Sequence, residues 1–99
     1  MAPFGVRLER RAEKEFAKLP ANVRRRFYAV FEALEADPYR PRPGCDIRVL
    51  KGHPNIRAVR VGEYRAIYEV VGTEVWFTKF GHRSSVYASS ANRNLHRVR

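Results

Sequence analysis

The chain has 99 residues, of which 44% are hydrophobic and 12% aromatic: enough for one domain, here expected to span 1–99, and hardly for two. Lys and Arg number 20 against 10 Asp and Glu, a formal net charge of +10, so the partners to consider are polyanions, nucleic acid first and an acidic protein second. A lone cysteine, Cys45, excludes an intrachain disulfide. No apolar run approaches the ~20 residues of a membrane span, and MAPFGVRLER lacks the apolar stretch of a secretory signal, so the expectation is a cytoplasmic protein.

In chain order, FGVRL at 4–8 is short and partly alternating, the pattern of a first strand. From Glu9 the period changes. Leu8, Ala12, Phe16 and Leu19 recur at helical spacing, with Glu13, Lys14, Glu15 and Lys18 between them. Pro20 stops this helix, because it has no N–H to donate and restricts the residue before it. Val23, Phe27, Val30, Phe31 and Leu34 then form the i, i+4, i+7, i+8, i+11 stripe of a second helix, ended by Asp37-Pro38. So short a connection makes the pair an antiparallel helical hairpin. Arg24, Arg25 and Arg26, at the start of the second helix, read as a solvated face or a docking patch for a partner.

Residues 38–46, PYRPRPGCD, hold three of the six prolines and read as an ordered, irregular loop. Four strand candidates follow: IRVLK (47–51), IRAVRV (56–61), YRAIYEV (64–70) and EVWFTKF (74–80). Gly62-Glu63 and Val71-Gly72-Thr73 are hairpin turns, so these strands make an antiparallel meander. The last segment, SSVYASSANRNLHRVR, reads as a weak helix beginning at Ser84 or Ser85, or as a tail. The fold class is therefore α+β: an N-terminal strand and a helical hairpin packed on one face of a curved, mainly antiparallel sheet. The other face must be open or covered by a partner.

That face is where arginines belong. In 64–70, Tyr64, Ala66, Tyr68 and Val70 form a core side and Arg65, Ile67 and Glu69 the opposite side, with Arg65 free to pair with Glu69. In the preceding strand Arg57 and Arg60 fall on opposite sides, which predicts a bulge or bend nearby and leaves open which of them faces the cleft. Downstream, FGHRSSVY groups His82, Arg83 and Tyr87. An imidazole exchanges a proton near neutral pH, a guanidinium offers a fork that suits phosphate, and a phenol donates, accepts and stacks. With Arg65, these groups could hold a phosphodiester and move its protons. Each also has a plainer reading: Arg65 as a surface ion pair, His82 as a solvated turn residue, Tyr87 as packing under the tail. Three scattered histidines and one cysteine have no metal-ligand spacing, and no phosphate-binding glycine loop or Ser-His-Asp pattern is present; no cofactor is expected.

KLP at 18–20, LKG at 50–52, RVGEYRAIYEV at 60–70 and GHRSSVY at 81–87, in this order over most of the chain, resemble the RelE/ParE toxin superfamily of bacterial toxin–antitoxin pairs. The resemblance implies the microbial-ribonuclease-like α+β fold. It also implies one of two activities: cleavage of messenger RNA on translating ribosomes in the RelE-like branch, or inhibition of DNA gyrase in the ParE-like branch. Carried over by position, it implies catalytic Arg65, His82, Arg83 and Tyr87 and RNA-binding Lys51, Arg57 and Arg60. Ala58 stands where some members carry a second basic residue two positions before the one at Arg60, which leaves Arg57 displaced by one. His82, Arg83 and Tyr87 together favour the nuclease, acting on mRNA and the ribosome without a metal. The implied partner is a cognate antitoxin with an acidic or partly disordered segment, for which Arg24–Arg26 and the tail from Ala88 are candidate docking regions.

Overall fold

Pro20 organises the helical half of the molecule. In the computed structural model, which describes residues 2–84, a first strand β1 (Gly5–Leu8) leads into helix α1 (Arg10–Ala17), and helix α2 (Ala21–Ala36) begins directly after Pro20. The Pro20 carbonyl accepts the N–H groups of Val23 and Arg24, both at 3.0 Å, while Leu19 N–H closes back on Phe16 O at 3.1 Å. Arg24 turns its guanidinium back onto the carbonyls of Leu19 and Ala17, which the end of α1 leaves without helical partners. The three consecutive arginines are therefore not one solvated face: Arg24 caps α1, Arg25 is exposed, and Arg26 lies against the turn at Gly62.

The far end of α2 is closed by the proline loop. Asp37 Oδ1 accepts the N–H of Tyr39 at 2.9 Å and of Arg40 at 3.3 Å, and Arg42 donates to the carbonyls of Ala33, Asp37 and Arg40. The N–H bond from Tyr39 is the main influence that holds the Asp37 carboxyl below its usual range. The loop that sequence reads as irregular but ordered is thus tied to the helix it follows.

Strands β2 (Asp46–Leu50), β3 (His53–Val61), β4 (Tyr64–Val71) and β5 (Glu74–His82) form the expected meander, and β1 adds to it in parallel with β5. The sheet order is β1-β5-β4-β3-β2. Gly62, first of the two residues linking β3 and β4, has φ +59°, which an L side chain rarely adopts, as a two-residue hairpin turn with glycine leading requires. Helices and sheet meet over Phe16, Phe27, Phe31, Tyr68, Phe77 and Phe80, with ring centroids 5.0 Å apart for Phe31–Phe77 and 5.1 Å for Phe16–Phe80. Where β1 stops at Leu8, the edge of β5 is taken over by α1: Glu15 Oε1 accepts Phe80 N–H at 3.0 Å and Oε2 meets Lys79 Nζ at 2.8 Å. The edge is thereby closed by a carboxylate instead of another strand.

Candidate nucleic-acid interface

The pleat sends alternate residues of β3 and β4 to opposite faces, and their register shows which go where. Val59 lies opposite Ala66 and Val61 opposite Tyr64, all on the side of the helices. Ala58 lies opposite Ile67, and Arg60 opposite Arg65, on the far side. Asp46 of β2 flanks Arg60, and Gly81 of β5 flanks Arg65, so one row across the sheet reads carboxylate, guanidinium, guanidinium, glycine. Like charges directly opposite on neighbouring strands destabilise a sheet, so this row is built at a cost to the fold. Asp46 Oδ2 offsets part of it at 3.0 Å from Arg60 Nε.

A hollow of about 300 Å³ opens beside this row, with Arg48, Lys51, Arg60 and Arg65 as its cations and Asp46 as its only acid among the lining residues. Arg65 does not pair with Glu69. Four residues along a strand is about 13 Å, and the Arg65 guanidinium instead donates to the carbonyls of Gly62 and Tyr64, each at 3.2 Å. The far face is not bare: Ala58 and Ile67 are buried on it, outside the aromatic core.

The other expected site residues divide. Lys51 and Arg60 line the hollow. Arg83 comes to the same turn that anchors Arg65: its N–H bonds Glu63 O at 2.8 Å and its Nε meets Glu63 Oε1 at 2.7 Å. His82 is the cross-strand partner of Tyr64, which places it on the helix side of the sheet, not beside Arg65; its ring stands edge-on to Tyr64 at 5.6 Å, and Nδ1 lies 3.0 Å from Ser84 Oγ. Arg57 also faces the helix side. Its guanidinium sits 4.9 Å from the centre of the Tyr39 ring, and its Nε is buried without a hydrogen-bond partner. The open question between Arg57 and Arg60 is therefore answered in favour of Arg60. The predicted irregularity is present, but on the other edge of the strand: the β2–β3 pairing shifts between Val49 and Leu50, whereas β3–β4 is regular through Arg57 and Arg60. Tyr87 lies outside the described residues. Arg48 and Asp46 went unremarked in the sequence. The signal was there, since Ile47 must face the core and its neighbours on either side must not.

A family model described as the ParE toxin of the type II toxin–antitoxin system parDE matches residues 6–87. The chain belongs to the RelE/ParE toxin family. Toxin RelE3 of Methanocaldococcus jannaschii is 31% identical over 74 residues, covering 75% of this chain and 84% of that protein. Among solved structures, the archaeal RelE–RelB complex of Pyrococcus horikoshii is similar at 28% identity and a TM-score of 0.69, covering 82% of this chain and 96% of that one. A mutant of the Escherichia coli toxin RelE in the free state matches at 26% identity and a TM-score of 0.70, covering 94% of this chain and 98% of that one. This RelE-like member of the type II toxins thus shares with them the helical hairpin on a mixed five-stranded sheet. No helix among the described residues is long and apolar enough to cross a membrane.

Proposed function

We propose that this toxin is an endoribonuclease that cleaves messenger RNA on translating ribosomes, with the scissile phosphate bound at the Arg60–Arg65 row. The observation that carries the reading is that Arg60 and Arg65 are direct cross-strand partners and line one cationic hollow. A fold keeps such a pair, against the repulsion, where an anion is to lie between them. RNA supplies its own nucleophile, the 2′-hydroxyl. The enzyme has to align it, remove its proton, neutralise charge on the phosphoryl oxygens as the bond to the 2′-oxygen forms, and protonate the departing 5′-oxygen. No metal is needed for these steps, and the products are a 2′,3′-cyclic phosphate and a 5′-hydroxyl.

Arg65 and Arg60 take the phosphoryl oxygens, each through a planar fork. Arg83 joins them by exchanging Glu63 for phosphate, and Lys51 and Arg48 guide the flanking backbone. Proton transfer falls to His82 and Tyr87 in the segment that follows Gly81. Because His82 sits on the helix side, it works round the end of β5 and not from the floor of the hollow. Arg57 is assigned no contact with RNA. The partner is an antitoxin with an acidic segment, in keeping with the RelE relatives whose structures were solved as complexes with RelB.

Induction of the toxin in cells, with transcriptome-wide mapping of RNA ends, tests the reading. Codon-phased cleavage that disappears in Arg65→Ala supports it. The matched family model, described for a ParE toxin, favours one competing reading, a gyrase inhibitor without chemistry of its own. Gyrase-trapped DNA breaks with intact messengers decide for that inhibitor.

A further inference from the structure

A second hollow, of about 490 Å³, lies on the helix side of the same sheet corner, and nothing in the proposed cleavage uses it. Arg26 and Val30 line it from α2, and Asp46, Arg60, Val61 and Gly62 from the sheet and its β3–β4 turn. We infer that this hollow is a subsite for the sugar-phosphate backbone of RNA flanking the phosphate held at Arg60 and Arg65, reached by passing over the β3–β4 turn; the inference rests on the nuclease reading above.

Three observations connect the two hollows. Asp46 and Arg60 line both, so the ion pair between them stands on the partition. Arginines flank the turn on both sides: Arg65 donates to Gly62 O at 3.2 Å from the far face, and Arg26 Nη1 lies 3.4 Å from the point a Gly62 Cβ would occupy, on the helix face. Arg26 has no carboxylate partner among the described residues and is exposed, so its fork is available to an incoming anion. Together the two hollows present five cations, Arg26, Arg48, Lys51, Arg60 and Arg65, against the single carboxylate of Asp46. That imbalance is continuous around the corner of the sheet, which suits a polymer of phosphates better than one bound anion.

The floor of the second hollow carries the rest of the argument. Val30 and Val61 are buried apolar side chains that give a ribose or base edge a dry surface, while Arg26 and Arg60 stand at the rim for the phosphates. Continuity with the Arg60–Arg65 row favours RNA over an acidic peptide, which would need no path into the far-face hollow.

The test is binding of non-cleavable, 2′-O-methylated RNA to the full chain, using one oligonucleotide of about three nucleotides and one of about twelve. Arg26→Ala is expected to weaken the longer RNA about tenfold and to lower its salt dependence by about one phosphate contact, while the short RNA binds as before. Ala29→Glu, which puts a carboxylate at the exposed rim beside Arg26, gives the same length-selective loss with a different effect on packing. Arg25→Ala, one residue away and exposed, changes neither. Arg26→Ala variants that weaken both lengths equally, or neither, overturn the subsite. So does an Arg26→Ala protein that binds both RNAs normally but loses a poly-glutamate peptide, which makes the hollow a protein-docking site. Failure of the nuclease reading looks different: Arg65→Ala would then leave the short RNA bound.

Discussion

The two faces of β3 and β4 are made from alternate residues of the same strands, yet they are built for opposite ends. On the helix side, Val59, Val61, Ala66 and Tyr68 are all buried and join one aromatic core. On the far side, Arg60 and Arg65 are cross-strand partners, with Ala58 and Ile67 buried on the same face. The first arrangement is what a sheet needs to hold its helices. The second costs stability and makes sense as a place for an anion. The difference teaches that within β4 the core contacts of Ala66 and Tyr68 and the anion-facing side chain of Arg65 are separated by a single backbone pleat, so Arg65 can be replaced without disturbing the aromatic core.

The largest effect that tests this separation is on the core side. Phe27 is fully buried, edge-on to Phe80 at 5.3 Å and against Phe31 at 6.2 Å. Phe27→Ala is expected to cost about 3–5 kcal/mol, most of the stability of a marginal domain of this size, seen as a collapse of the urea unfolding midpoint. On the far side, Arg65→Ala is expected to slow RNA cleavage about 10²–10³-fold, the cost of removing one preorganised charge contact. Its unfolding free energy should change by less than about 0.5 kcal/mol, because the side chain holds only two carbonyls of its own turn. An Arg65→Ala protein that unfolds at the lower midpoint of the Phe27 variant breaks the comparison.

Between the two extremes stands Glu15, which belongs to a helix but closes a sheet edge. Its two oxygens take Phe80 N–H and Lys79 Nζ, and the Lys79–Glu15 side chains are only 15% and 22% exposed. Glu15→Ala leaves both donors without this acceptor, for an expected loss of about 1.5–3 kcal/mol. Hydrogen exchange should show the loss in β5 near Phe80 and not in β3, which locates the damage at the edge and not in the aromatic core.

Much of this was legible in the sequence for a physical reason: periodicity reports burial, and burial decides both helices and all the strands. The stripe Val23, Phe27, Val30 and Leu34 is buried as its spacing requires, and Tyr64, Ala66 and Tyr68 face the helices as their alternation requires. The sequence was less explicit where one arginine can serve several ends. Arg24, Arg25 and Arg26 are identical letters in a row, and only the turn after Leu19 and the turn at Gly62 distinguish a cap from a groove wall. Arg57 was named as a site residue by the resemblance, while its alternation with Arg60 put the two on opposite faces. It is tolerated on the core side because Tyr39, fixed by the Asp37 turn, offers a ring face to its guanidinium. His82 was grouped with Arg83 by nearness in sequence, but β5 ends at His82, and the register with Tyr64 carries that residue to the helix side, away from Arg65.

The smallest expected effect, and the sharpest on the core side, is a dependence on alkali. The Tyr68 hydroxyl is buried and donates to Pro38 O at 2.7 Å, and burial, helped by the nearby Cys45, pushes its phenol well above the ordinary value of 10.0. Arg57 and Arg42 pull it down and do not prevail. Cys45, also buried, has its thiol raised above 9.0 by the same loss of water. Both groups hold their protons longer in the folded chain than in the unfolded one. The stability they contribute is therefore fully present below about pH 9, and is lost as the pH rises through the unfolded values toward the folded ones, at about 1.4 kcal/mol per pH unit for each group. Tyr68→Phe removes the bond to Pro38, about 1 kcal/mol at neutral pH, but it also removes one source of the alkaline loss. The unfolding midpoints of the two proteins should therefore stand apart at pH 7 and converge above pH 10. Curves that run parallel to pH 11 would mean that the Tyr68 proton is not held by the core, and that the core side of the sheet is wetter than its packing implies.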